Sequence, residues 1–226
     1  MSKFSWLALR TVLLCLAIAT AEKSFALEKD DPSRWESAIQ QFEAADKTNA
    51  PPKKGIVFVG SSSIRKWETL AQDFPKCKVI NRGFGGSHLN DSVFYFERIV
   101  AVYKPKLIVV YAGGNDINFG KKPEQVFVAF QEFVAKAHKA LPKTRVAYIS
   151  IAPNPARWLQ VEQVKVANKL IEDFCSANPK LSFINVFPEM LGLDGKPKPD
   201  IFVDDKLHMN AKGYALWTRV VEPYLK

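Results

Sequence analysis

From Trp35 onward the chain alternates between two hydrophobic periods. Trp35, Ile39 and Phe42 are spaced to share one helical face, and the preceding Asp31-Pro32-Ser33 offers a cap with a proline suited to a first turn. Pro51-Pro52 then breaks the chain. Residues 55–60 form a short, uniformly apolar run. A strand with one wet face would alternate, so this run predicts a parallel strand covered on both faces. Residues 78–81, 107–111, 146–151 and 183–186 repeat the pattern. Helical stripes separate them: Leu89, Val93, Phe96 and Val100; then Val126, Phe130, Val134, Ala137 and Leu141; then Leu170, Ile171 and Phe174; and finally Leu216, Val220 and Tyr224. Ser87 and Asn210 are the expected N-caps of the first and last of these helices.

Strand and helix alternating in this way predict an α/β domain of three layers. A five-stranded parallel sheet lies between helices and is joined by right-handed crossovers. In such a sheet a site forms beyond the carboxyl ends of the strands. The polar, glycine-rich turns fall there. They are Gly60-Ser61-Ser62-Ser63-Ile64, Asn81-Arg82-Gly83-Phe84-Gly85-Gly86, Gly113-Gly114-Asn115-Asp116, and Asp204-Asp205-Lys206-Leu207-His208 before the last helix.

These turns hold the parts needed for acyl transfer. A serine hydroxyl needs a base to take its proton. Imidazole, with an unperturbed pKa of about 6.5, suits that task at neutral pH. A carboxylate then fixes the imidazole tautomer. Ser62 stands at a strand-to-helix turn, and Asp205 and His208 share one loop. The Ser62 N–H, the Gly83 N–H and the Asn115 side-chain amide are the expected oxyanion donors, each worth roughly 3–4 kcal/mol of barrier. Ser63 is the alternative nucleophile. Asp116 is expected to brace its turn, and Asn154 and Arg157 either to border the substrate or to pack and cap. His88 is expected to be a surface residue at a helix start, and His138 to be solvated. Asp204, Asp205 and His208 make an incomplete ligand set, so neither a metal nor a cofactor is expected.

Taken together, Gly60-Ser61-Ser62, Asn81-Arg82-Gly83, Gly113-Gly114-Asn115-Asp116 and Asp205-Lys206-Leu207-His208 resemble the four blocks of the SGNH (GDSL-type) esterase and lipase superfamily. The likeness runs from Gly60 to His208. The wording around Ser62 is similar to a bacterial branch that includes platelet-activating-factor acetylhydrolase-like proteins. The resemblance implies a flavodoxin-like sheet, Ser62 as nucleophile, Asp205 and His208 as its acid–base pair, and Gly83 and Asn115 as oxyanion donors. One departure is Ser61, where the family usually has Asp. The α/β-hydrolase elbow fits less well, because Ile64 stands where its second glycine would be.

Composition narrows the setting. Lys3 and Arg10 flank a basic start, residues 11–20 are apolar, and Ala19-Thr20-Ala21 offers small residues for cleavage. This order is that of a secretory signal over residues 1–21, with a second cut available after Ala26. The apolar run is too short for a bilayer, which needs about 20 residues. Residues 22–226 are then expected to be one secreted or periplasmic domain with no stable membrane insertion. The formal charge of +9 is spread over scattered lysines, without a recognisable nucleic-acid module. Cys77 and Cys175 are expected to be buried free thiols. The short connections favour small acyl groups on a small-molecule or glycan ester. The rival readings are an acyltransferase with the same triad, a long-chain lipase or lysophospholipase, and a catalytically silent glycan-binding module.

Overall fold

The structure, a computed structural model, describes residues 31–226. The expected signal peptide at 1–21 and the alternative cut after residue 26 lie outside the described residues. Trp35–Lys226 packs as one compact unit. No helix among the described residues is long and apolar enough to cross a membrane.

Five strands appear where the apolar runs predict them: β1 (Ile56–Gly60), β2 (Val79–Gly83), β3 (Leu107–Tyr111), β4 (Arg145–Ile149) and β5 (Leu181–Ile184). All neighbours pair in parallel, in the order β2-β1-β3-β4-β5. The helices are α1 (Glu36–Thr48), α2 (Ser62–Arg65), α3 (Leu70–Asp73), α4 (Leu89–Phe94), α5 (Phe96–Ile99), α6 (Gly114–Asn118), α7 (Pro123–Ala140), α8 (Val161–Ser176) and α9 (Ala211–Val221).

Strand pleating divides the apolar residues between two cores. Val57, Val59, Ile108, Val110, Val146 and Tyr148 point into one, against α1, α4, α5, α7 and α8. Ile56, Phe58, Leu107, Val109, Ala147 and Ile149 point into the other, against α2, α3 and α9. Both faces are dry, which explains why the runs do not alternate. From β1 the chain steps out to β2 and returns to β3 on the other side of β1. Strand order reverses at that point, and a crevice opens between the ends of β1 and β3.

Some elements depart from the sequence reading. The stripe from Leu89 to Val100 forms two helices that meet at Tyr95. Their cap is His88, not Ser87, and the Asp91 carboxylate accepts the His88 N–H at 2.7 Å. β5 begins two residues before the predicted run. At the last helix, Tyr214, Trp217, Val221 and Leu225 join Leu216 in the core, whereas Tyr224 is exposed. Asn210 is the cap expected there, accepting from the Lys212 and Gly213 N–H groups. Both cysteines are free. Cys175 is buried, and that burial pushes its thiol up to about 12, while Cys77 is only half-buried.

Candidate active site

β1 ends in a backbone that only glycine tolerates. Gly60 has φ +136°, and a Cβ there would lie 1.9 Å from the Tyr111 carbonyl oxygen. The next residue, Ser61, is extended and donates its N–H to that same oxygen at 3.0 Å. The chain therefore turns off the end of β1 into α2, with Ser62 as the first helical residue.

Asn81 braces this turn. Its Nδ2 donates to the Ile64 carbonyl at 2.6 Å, and its Oδ1 accepts the Gly83 N–H at 2.9 Å. Arg82 is buried, pairs with Asp46, and donates to the Tyr103 hydroxyl at 2.8 Å, tying β2 to α1.

The opposite wall comes from the C-terminal loop. An antiparallel bridge between Phe202 and Met209 closes it, Val203 N–H donates to the His208 carbonyl at 2.9 Å, and Lys206 takes the left-handed conformation. Aromatic packing brings this loop to Ser62. Trp217 of α9 packs edge-on against Tyr111 at 4.7 Å and against Trp67 at 5.9 Å between ring centroids. Tyr214 donates its hydroxyl to the Ser63 carbonyl at 2.9 Å, which links α9 directly to α2.

The result is a continuous hydrogen-bonded chain. Ser62 Oγ lies 2.9 Å from His208 Nε2, and His208 Nδ1 lies 2.6 Å from Asp205 Oδ2. The other carboxylate oxygen of Asp205 accepts the N–H groups of Leu207 at 2.9 Å and His208 at 2.8 Å. Burial pushes this carboxyl up, but the hydrogen bonds from the His208 backbone and ring and from Leu207 outweigh it and hold the group at about 2. A carboxylate facing one imidazole nitrogen, with a hydroxyl facing the other, can draw the hydroxyl proton onto the ring.

α6 begins after Gly113, at φ +105°, and presents Asn115 to the same crevice. Asn115 Nδ2 donates to the Ser87 carbonyl at 3.1 Å. Its Oδ1 accepts from Arg157 Nη1 at 2.9 Å, so the orientation of the amide is fixed from behind. Asp116 is fully buried, accepts the Leu89 N–H at 3.1 Å, and pairs with Lys121 at 3.5 Å, bracing its turn as expected. The pocket between these walls encloses about 480 Å³, counting its open mouth. Tyr111, Ile151, Met190, Phe202, Met209 and Trp217 supply its apolar lining.

Ser62, Asp205, His208 and Asn115 thus converge, and it is Ser62 rather than Ser63 that faces the imidazole. Gly83 does not join them. Its N–H is taken by Asn81, and its α-carbon is pressed on α2, where a Cβ would meet Arg65 N at 2.2 Å. The glycine beside the Asn115 amide is Gly86, whose Cβ would lie 3.7 Å from Nδ2. Its N–H has no partner among the described residues. Gly83→Ala is expected to unsettle α2 and cost on the order of 1–3 kcal/mol. Gly86→Ala should fold normally, since its Cβ makes only an ordinary contact with Asn115 Nδ2 at 3.7 Å, and should lower turnover by filling space beside that amide. Thermal melts paired with ester assays separate the two.

His88 is buried and packs on Phe119 at 5.2 Å, contrary to the surface position expected. His138 is half-buried rather than solvated, its Nε2 has no hydrogen-bond partner among the described residues, and burial pulls its pKa down. Asp204 is exposed, and no cluster of three or more His, Cys, Asp or Glu side chains among the described residues is placed to hold a metal. Of the two expectations for Asn154 and Arg157, bordering the site or packing and capping, the structure gives both: each lines the pocket, Asn154 caps the Arg157 N–H, and Arg157 holds Asn115, a contact the sequence did not suggest. The position of Arg157 just past β4, where a parallel sheet builds its site, was the available signal.

Residues 50–216 match the GDSL-like Lipase/Acylhydrolase family. The chain belongs to this family. It is accordingly a hydrolase of the SGNH type, with the family's three-layer parallel-sheet fold. Among solved structures, a GDSL-like lipase from Bacteroides thetaiotaomicron VPI-5482 is 22% identical, covering 83% of this chain and 96% of the other at a TM-score of 0.68. A Streptococcus pneumonia protein provisionally described as a platelet activating factor is 20% identical, covering 94% and 99% at a TM-score of 0.74. A carbohydrate esterase of family 3 from Talaromyces cellulolyticus is 16% identical, covering 75% and 95% at a TM-score of 0.61. Likeness at these identities extends to the fold. Comparison with curated proteins yields no match.

Proposed function

We propose that this GDSL-family hydrolase cleaves short-acyl, above all acetyl, esters through an acyl-enzyme on Ser62. The observation that carries the reading is the 2.9 Å approach of Ser62 Oγ to His208 Nε2, across 146 residues of sequence. Ser62 Oγ attacks the ester carbonyl while His208 takes its proton. Asp205 holds the ring and its positive charge. The carbonyl oxygen becomes an oxyanion held by the Ser62 N–H, the Gly86 N–H and Asn115 Nδ2. As the intermediate collapses, the alcohol leaves with the proton from His208. Water, deprotonated by His208, then releases the acid and restores the serine.

The limited space and close aromatic walls of the pocket favour a small acyl group. Structural neighbours include an esterase described as acting on acetyl-xylooligosaccharides, which supports an acetylated sugar or small alcohol as substrate. The basic start and apolar run of the chain support export, as a secreted or periplasmic enzyme.

A chain-length series of 4-nitrophenyl esters tests the reading. The expected kcat/KM is highest for acetate and falls beyond butyrate, with free acid as the product even when glycerol or a sugar is present. Better turnover of long chains would favour the lipase reading, and transfer of the acyl group to the added alcohol would favour the acyltransferase.

A further inference from the structure

One permanent charge lines the pocket that holds Ser62 and His208. No Asp or Glu is among the side chains forming its wall, and Arg157 is its single Arg or Lys. A second, smaller cleft of about 290 Å³ adjoins it. Arg157 and Asn154 line both, and the second cleft is also free of carboxylates. Arg157 therefore stands where the two spaces meet.

The guanidinium is half-buried, and no Asp or Glu of the described residues pairs with it. Its side-chain bonds to the described residues both leave from Nη1, to Asn115 Oδ1 at 2.9 Å and Gly114 O at 3.1 Å, and both acceptors are neutral. Nε and Nη2 have no protein partner among the described residues. Nearby, Asn154 uses its Oδ1 to accept the Arg157 backbone N–H at 2.9 Å, leaving its own amide N–H groups to donate. Burial pulls the Arg157 pKa down, as expected for a cation partly stripped of water without a counter-charge. Such a charge costs free energy unless an anion neutralises it. A guanidinium edge matches a carboxylate or phosphate with two parallel hydrogen bonds. One edge of Arg157 steadies the oxyanion donor, and the other nitrogens are free to bind a ligand.

We propose that Arg157, with Asn154, binds an anionic oxygen group, a carboxylate or a phosphate, on the alcohol portion of the ester. This rests on the short-acyl reading above, because an acetyl group has no room for a charge and the anion must then lie on the leaving alcohol. The enzyme is thus fitted to O-acylated acids, such as acylated uronic acids or acylated phosphate monoesters, rather than to neutral esters.

The test uses three aryl acetates with the same acyl group: 4-acetoxybenzoate, 4-acetoxyphenyl phosphate and the neutral 4-acetoxybenzamide. Each kcat/KM is divided by that ester's rate of alkaline hydrolysis, which removes differences in leaving-group reactivity. The wild type is expected to favour at least one anionic ester over the amide by roughly tenfold or more, the scale of a hydrogen bond to a charged group. The larger ratio tells carboxylate from phosphate. In Arg157→Gln that ratio should fall to near one, mainly through KM. Loss of the grip on Asn115 slows all three esters alike and cancels in the ratio. Equal wild-type turnover of charged and neutral esters overturns the proposal, with no variant needed, and leaves the esterase reading intact. An unchanged ratio in Arg157→Gln also overturns it. If none of the three is turned over and a fluorophosphonate leaves Ser62 unlabelled, the esterase reading fails and this proposal with it.

Discussion

Replacing Ser62 with alanine is expected to lower kcat on 4-nitrophenyl acetate by roughly 10⁵–10⁶-fold, the loss seen when a serine nucleophile is removed from a hydrogen-bonded triad. The substitution removes one oxygen at the mouth of the pocket and touches nothing that holds α2, which is secured by Asn81 from β2 and Tyr214 from α9. The thermal midpoint should therefore move by no more than a degree or two. Ser63 cannot stand in. The imidazole is paired with the Ser62 hydroxyl, and the Ser63 carbonyl is held by Tyr214. Ser63→Ala should thus keep most of the activity. A fluorophosphonate should label the wild type at Ser62 and fail to label Ser62→Ala. Substantial turnover by Ser62→Ala would end the acyl-enzyme assignment, whatever the distance to His208.

These outcomes turn on features that were unequally visible in the sequence. The sheet was legible because a central parallel strand has no wet face, and a five-residue run such as Leu107–Tyr111 admits few other readings. Ser62, Asn115, Asp205 and His208 were legible because each sits in a polar turn directly after a strand or before the last helix. The glycines of the second turn were not. Gly83, Gly85 and Gly86 look alike on paper, yet Gly83 is the last residue of β2 with its N–H already used, Gly85 lies against the Trp35 ring, and Gly86 has an open N–H beside Asn115. Only the path of the backbone separates them.

Arg157 and His88 show the same limit. The place of Arg157 after a strand suggested a residue at the rim of the site, but its grip on Asn115 depends on α6 and the segment after β4 arriving together. His88 lost its expected exposure because Phe119, at the end of α6, covers it. Local spacing carried the strands, the Asn210 cap and the placement of Ser62, Asp205 and His208 in polar turns, and contacts between distant turns decided the rest.

Asp205→Asn should reduce kcat by roughly 10⁴-fold while leaving the fold intact, the size of effect expected when the imidazole is held in the wrong tautomer. The reason lies in how the two carboxylate oxygens are used. Oδ1 accepts two backbone N–H groups, from Leu207 and His208, so in the asparagine variant the carbonyl oxygen must occupy that place. The amide nitrogen is then forced into the position of Oδ2, 2.6 Å from His208 Nδ1. There it can only donate, which makes Nδ1 an acceptor and moves the ring proton to Nε2. That nitrogen faces Ser62 Oγ at 2.9 Å and would then offer a proton where it should take one. Because the native carboxyl is held at about 2, acid alone does not produce this state in the wild type under ordinary assay conditions. Near-full activity in Asp205→Asn, with an unchanged melt, would show that His208 is oriented without this carboxylate. A collapsed melt would show that the loop, rather than the tautomer, was lost, and Asp205→Glu would then be the variant to measure.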